Sequence, residues 1–232
     1  MSRPEIIRFL IFRTIGNFLL LFAIFGVFMT FGPALYYEVM FRTSEASGVH
    51  YVVGSSNTPQ PVGQATVGFG QLLGGSKQQI LIPKDTDFDV LIPKIGANVK
   101  VFPNVDSSNE DEYLKILQQG VAHARGTVFP GMAGNIYLFA HSTDNWWNVG
   151  RYNAVFYLLK DLSVGDDVVV FFQDQRHNYS VTSSTIVDPS DVSALTQSHG
   201  GPEQLVLQTC WPPGTSWKRL LVFAKPKSNT AK

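Results

Sequence analysis

Leu205-Val206-Leu207-Gln208-Thr209-Cys210 and Arg219-Leu220-Leu221-Val222-Phe223-Ala224, separated by a Pro/Gly-rich loop from Trp211 to Lys218, decide how this chain reads. Both runs carry strand-type residues bounded by turn chemistry, so they predict an antiparallel hairpin. In such a pair the last residue of one strand lies across from the first of the next. Cys210 is the only cysteine in the chain. The hairpin therefore sets a thiol beside a guanidinium at one rim of a sheet, a nucleophile next to a permanent cation.

The remainder of the 232 residues narrows the function classes. Lys and Arg number 18, Asp and Glu 18, so no charge excess points to nucleic acid, whose phosphates need clustered cations. A lone cysteine excludes an internal disulfide framework and a four-cysteine zinc site. No His/Asp/Glu cluster has ligand spacing, and no metal or other cofactor is expected.

Thr14 to Tyr37 carries no charge over 24 positions, and Phe18 to Phe31 is almost wholly apolar. At about 1.5 Å per residue this crosses a hydrocarbon core of roughly 30 Å. Arg3, Arg8 and Arg13 precede it, which places residues 1–13 in the cytoplasm and the bulk of the chain outside the cell. A cleaved signal peptide is the competing reading. Its apolar region is shorter and ends in a small-x-small site, which Gly32-Pro33-Ala34 matches weakly. The expected organisation is a signal-anchor over 14–37, a flexible Gly/Ser/Thr/Gln-rich stalk over 38–79, a catalytic domain over 80–228 and a tail over 229–232. Within the stalk, His50-Tyr51-Val52-Val53 has the composition of a weak strand.

Order is expected from Ile80. Ile80 to Pro83, Val90 to Ile95 and Asn98 to Phe102 read as short strands, two of them ended by proline. Asn109 to Gln119 reads as a helix, with Glu110, Asp111 and Glu112 in its first turn, a stripe of Tyr113, Leu114 and Leu117, and Gly120 as its stop. Asn135 to His141 is a buried strand delivered by the turn-rich segment 126–134. Val155 to Leu162 suits one or two helical turns. Val168 to Phe172 and His177 to Val187 form a second hairpin. Many short strands with few helices predict an all-β domain, a closed barrel or a sandwich.

A cysteine nucleophile needs a base brought to it by the fold. Among five histidines, His141 is the best placed, because it ends an apolar strand and enters the polar segment Ser142-Thr143-Asp144-Asn145. His50, His123, His177 and His199 read as solvated or core-satisfied. Asp144 or Asp188 has the chemistry to orient a histidine, although nothing in the sequence ties either to one. Arg219 is either a rim-solvating arginine or a source of fixed donors for a developing oxyanion. Trp146 and Trp147 follow His141, while Trp211 and Trp217 bracket the 211–218 loop; they are groove walls or packing anchors.

Taken together these motifs resemble the sortase family. Val206-Leu207-Gln208-Thr209-Cys210 is similar to the TLxTC signature, with Arg219 nine residues later and Val206 where the signature has threonine. Gly120-Val121-Ala122-His123, Gly126-Thr127 and Pro130-Gly131-Met132-Ala133-Gly134-Asn135, ending at His141, resemble the segment around the family's catalytic histidine, and Ile92-Pro93-Lys94-Ile95-Gly96 resembles the domain start. The resemblance implies a closed eight-stranded sortase-type β-barrel with one or two short helices. It implies a Cys210-His141-Arg219 site with Thr209 at the substrate backbone, and carries no metal; as groove walls, Trp211 and Trp146 would be substrate-binding residues too. It implies cleavage of an LPxTG-like C-terminal sorting signal on secreted proteins, through a thioacyl-enzyme, and transfer to an amine on a cell-wall precursor or pilin subunit. A thiol hydrolase and a non-catalytic stalked barrel are the rival expectations.

Overall fold

In the computed structural model, residues 3–54, 77–142, 156–196, 199–213 and 215–227 are described. The chain begins with helix α1 (Arg3–Ala46), 44 residues long. Its apolar side chains stand exposed over Arg3–Met29, a stretch long and apolar enough to cross a membrane. The helix does not stop at Tyr37. It continues to Ala46 and passes through a turn at Ser47 and Gly48 into β1 (Val49–Val53), which pairs in parallel with β2 (Lys77–Leu81).

Both ends of the expected stalk are therefore regular structure, and residues 55–76 lie outside the described residues. The physical reason is local burial. Val53 and Leu81 pack against Leu91, Val169 and Phe171, a small apolar cluster on the outside of the main sheet. That contact offsets the ordering cost that composition alone leaves unmet. Ile80 accordingly belongs to this two-stranded sheet and not to the barrel.

The barrel comprises β3 (Phe88–Ile92), β4 (Ala97–Val105), β5 (Val121–Ala124), β6 (Asn135–Phe139), β7 (Asp167–Phe172), β8 (Gln175–Val187), β9 (Gln204–Trp211) and β10 (Lys218–Pro226). These eight strands close in the order β10-β8-β7-β3-β4-β5-β6-β9. Helix α2 (Glu110–Leu117) makes the crossover between β4 and β5, a parallel pair. It starts where the sequence indicates: Asn109 is the N-cap, its side chain accepting from the Glu112 N–H at 3.3 Å. A 3₁₀ turn (Tyr157–Asp161) stands where one or two helical turns are expected, and a short helix α3 (Ser193–Thr196) interrupts the connection before β9.

The core lies inside the barrel. Val90, Ile92, Val101, Val121, Ile136, Leu138, Val168, Val170, Leu205, Leu207 and Val222 are all buried and belong to one cluster. Successive strand residues alternate between faces, so the residues between these positions face outward or toward covering elements. His123 is in the interior. Its Nε2 lies 3.1 Å from the Val128 carbonyl and 3.0 Å from the Thr127 hydroxyl, and Nδ1 accepts from the Asn104 N–H. Phe129 stacks on the ring at 4.5 Å. Burial holds its pKa below the usual histidine range, the Val128 hydrogen bond opposing in part.

Candidate active site

Three adjacent strands build the site. β9 lies between β6, with which it runs parallel, and β10, its antiparallel partner. On the β10 side, Cys210 is directly opposite Arg219. On the β6 side the register runs from Asn135 opposite Gln204 to Phe139 opposite Gln208. It continues one step past the last paired residue, where the Ala140 N–H donates to the Gln208 carbonyl at 3.2 Å. Carrying the same register to the next residue sets His141 level with Cys210. On that register His141, two residues past the end of β6, falls at the same end of the barrel as Cys210 and Arg219.

Alternation shows which way these residues face. Ile136, Leu138 and Ala140 on β6, Leu205, Leu207 and Thr209 on β9, and Leu220, Val222 and Ala224 on β10 are buried members of the interior face. The complementary set is Tyr137, Phe139 and His141; Gln208 and Cys210; Arg219 and Leu221. Cys210 and Arg219 are half-buried, as is His141. A thiol in this position is held by a strand yet open to solvent, which suits a nucleophile. The Arg219 guanidinium donates from Nη1 to the Ser216 and Lys218 carbonyls, each at 3.2 Å. The 215–218 loop thereby fixes the cation beside the sulfur.

The other expected site residues divide. Thr209 faces the interior, 2% exposed, and its hydroxyl donates to the Ala140 carbonyl at 3.1 Å. It does not reach a surface that a substrate touches; it ties the end of β6, where His141 begins, to β9. Trp211 shares that inward parity and packs half-buried against the core. Trp217 is exposed. Trp146, Trp147 and Asp144 lie outside the described residues. Asp188 pairs with Lys218 at 2.5 Å, which supplies its partner without a histidine. Of the remaining histidines, His50 is on β1, His123 is in the interior, and His177 is on β8. His199 bridges Gly134 beside the start of β6, at the opposite end of that strand from His141.

Two tyrosines join the site without having been singled out by sequence. Tyr137 hydrogen-bonds through its hydroxyl to Oε1 of Gln208, the residue two before Cys210 on the same face. Tyr113, on α2, meets Phe139 edge-on at 6.1 Å. Burial pushes both phenols up, and Arg219 is close enough to each to oppose that shift. Outward alternation along β6 was a signal for Tyr137; nothing local marks Tyr113, which arrives through the helix crossover.

A sequence model of the sortase domain matches residues 90–227, more than half of the chain. Comparison with curated protein sequences gives no match. Among solved structures, sortase C-1 from Actinomyces oris (formerly Actinomyces naeslundii) is similar, with 26% identity and a TM-score of 0.52 over 62% of this chain and 76% of that one. Sortase C1 from Streptococcus agalactiae is similar with 25% identity and a TM-score of 0.52, over 62% and 69%. A Clostridium perfringens sortase D5 transpeptidase shares the fold at 23% identity and a TM-score of 0.50, over 62% and 80%.

Proposed function

This chain belongs to the sortase family, and on that footing we propose that it is a membrane-anchored cysteine transpeptidase with Cys210 as nucleophile, His141 as general acid and base, and Arg219 as electrostatic stabiliser. What supports the reading is the strand register: Cys210 lies opposite Arg219, and with Phe139 opposite Gln208 the same register carried two residues on brings His141 to the rim of Cys210.

The reaction balances with these groups alone. The Cys210 thiol gives its proton to His141, its sulfur attacks the carbonyl carbon of the scissile amide, and negative charge grows on the carbonyl oxygen. Arg219 lies one strand away, with its guanidinium held by the 215–218 loop, and fixed donors of this kind are worth several kcal/mol because no reorganisation is needed. The C–N bond then breaks, the leaving amine takes a proton from His141, and a thioester on Cys210 remains. An incoming amine attacks that thioester, gives its proton to His141, and releases the sulfur. An extended peptide would lie along the rim marked by half-buried Gln208, Cys210 and Arg219, over the buried rings of Tyr137 and Phe139.

The substrate in this reading is a secreted protein bearing an LPxTG-like C-terminal signal, and the acceptor is an amine on a cell-wall precursor or pilin subunit. The apolar stretch of α1 spans the bilayer, with Arg3, Arg8 and Arg13 on the cytoplasmic side and the barrel outside. A thiol-reactive probe tests the assignment. It labels Cys210, and a sorting-signal peptide blocks the labelling; labelling indifferent to every such peptide would favour the non-catalytic module. If water replaces the amine, hydrolysed peptide accumulates without ligated product, and the enzyme is a hydrolase instead.

A further inference from the structure

The last two turns of α1 carry charge and one aromatic ring at positions 38, 41, 42 and 45, the i, i+3, i+4, i+7 spacing of a single helix face. Every one of these residues has a contact that explains it. Glu38 accepts from Lys160 Nζ at 2.9 Å; Lys160 also meets Asp161 at 2.8 Å. Asp161 lies 3.5 Å from Arg42, and Arg42 returns to Glu38 at 3.0 Å. Four charges of alternating sign form a closed ring, two from the helix and two from the barrel's 3₁₀ turn. Glu45 adds a further contact to Arg42 at 3.7 Å.

The ring sits on an apolar base. Phe41 is 8% exposed, the one buried residue in a helix whose other described side chains are mostly open. The Arg42 guanidinium lies over its ring at 5.5 Å. On the barrel side the 3₁₀ turn is itself immobilised, because Phe156, Leu158, Leu159 and Leu162 are buried around it. Isolated surface ion pairs contribute little, but a network anchored on buried groups is the exception. Only Ser47 and Gly48 then separate the helix from β1, and β1 with β2 packs on the barrel wall through Val53 and Leu81. The helix is thus held at two places, and only Ser47 and Gly48 lie between its end and the second.

We propose that the helix face Glu38/Phe41/Arg42/Glu45 is a docking surface for the 3₁₀ turn Tyr157–Asp161, so that anchor and barrel form one rigid body and the Cys210 rim stands at a fixed orientation to the bilayer. The orientation rests on the membrane reading of α1; the docking itself does not. A membrane enzyme built this way acts on substrates presented at one height and angle, in contrast to one swinging on a stalk.

The test uses the full chain in lipid nanodiscs, with Cys210→Ala freeing the thiol chemistry for two spin labels. One label goes at Phe28→Cys, about 20 Å down the helix from Phe41, and the other at Ser184→Cys on β8. Pulsed dipolar spectroscopy is expected to give one narrow distance distribution. Phe41→Asp with Arg42→Glu broadens it at least twofold, with the barrel melting temperature kept as the check on folding. Glu38→Lys alone broadens it, and reversing all four charges of the ring (Glu38→Lys, Arg42→Glu, Lys160→Glu, Asp161→Lys) narrows it again. A distribution already broad in the parent chain, or a width unmoved by these substitutions, overturns the proposal. Oxygen accessibility at the Phe28→Cys label reports separately whether the helix lies in lipid, so failure of the anchor reading is distinguished from failure of the docking.

Discussion

Replacing Thr209 by valine removes one hydroxyl and almost no volume. The side chain is 2% exposed and donates to the Ala140 carbonyl at 3.1 Å, so the variant loses a buried hydrogen bond without opening a cavity. A net loss of about 1 kcal/mol is expected for the bond, rising to about 3 if the carbonyl is left without any partner. In a domain of this size, 1 kcal/mol moves the melting temperature by about 4 °C, so a fall of about 4 to 12 °C is the expected reading by calorimetry. The functional effect is more informative. Ala140 precedes His141, and the Thr209 bond together with the Ala140 N–H to Gln208 carbonyl bond is what holds the strand end level with Cys210. A misplacement near 1 Å at reacting groups costs about 100-fold, so kcat is expected to fall at least about tenfold, with KM little changed because Thr209 touches no substrate. Thr209→Ser keeps the hydroxyl and is expected to recover most of kcat. If Thr209→Val matches the parent in both melting temperature and kcat, or if serine is no better than valine, the positioning argument is wrong.

Arg219→Ala is expected to lower kcat by about 100- to 1,000-fold, the size of losing one preorganised oxyanion donor. The melting temperature should stay close to that of the parent, since among the described residues the guanidinium donates to the nearby Ser216 and Lys218 carbonyls; an unchanged kcat refutes the role. Tyr137→Phe removes the partner of Gln208 and is expected to raise KM for a signal peptide several-fold with kcat kept, which steady-state kinetics separates. The pH dependence of stability should follow His123. Burial holds its folded pKa below the unfolded value near 6.5, so the unfolded chain binds the proton first as pH falls. Stability is present in full above about pH 6.5 and declines below it, by up to about 1.4 kcal/mol per pH unit for one such proton. His177, also shifted down by burial, acts in the same direction. Urea midpoints between pH 7.5 and 5 check this, and a His123→Gln variant should have a shallower slope.

The paired strands were the most legible part of the chain. The β9–β10 hairpin, the β7–β8 hairpin and the helix beginning near Asn109 each announce themselves within a dozen residues, through alternation, turn chemistry or acidic first-turn positions. The meeting of His141, Cys210 and Arg219 at one end of the barrel was legible in pieces: the antiparallel register gives Cys210 opposite Arg219, whereas the parallel β6–β9 pairing depends on a connection of more than sixty residues that leaves no local mark. Thr209 and Trp211 show where alternation was available and decisive. If Cys210 faces out, its two neighbours face in: Thr209 is buried, and Trp211 packs half-buried against the core. The end of α1 was obscured for a different reason. Charges at Glu38 and Arg42 look like the edge of a membrane span, yet with Phe41 and Glu45 they keep helical spacing, and only their partners Lys160 and Asp161 give that spacing a meaning. β1 and β2 were hidden because a weak strand becomes stable through burial against Leu91, Val169 and Phe171, all distant in sequence.

The central claim is that one sulfur, one imidazole and one guanidinium act together on a peptide carbonyl. Intact-mass spectrometry of the full chain, incubated with an LPxTG-like peptide and then with an amine, tests it most directly. The account predicts a covalent acyl adduct on Cys210 that disappears on adding the amine, in step with a ligated product, and no adduct with Cys210→Ala. Ligated product formed equally well by Cys210→Ala, or an adduct mapped to another residue, would contradict it.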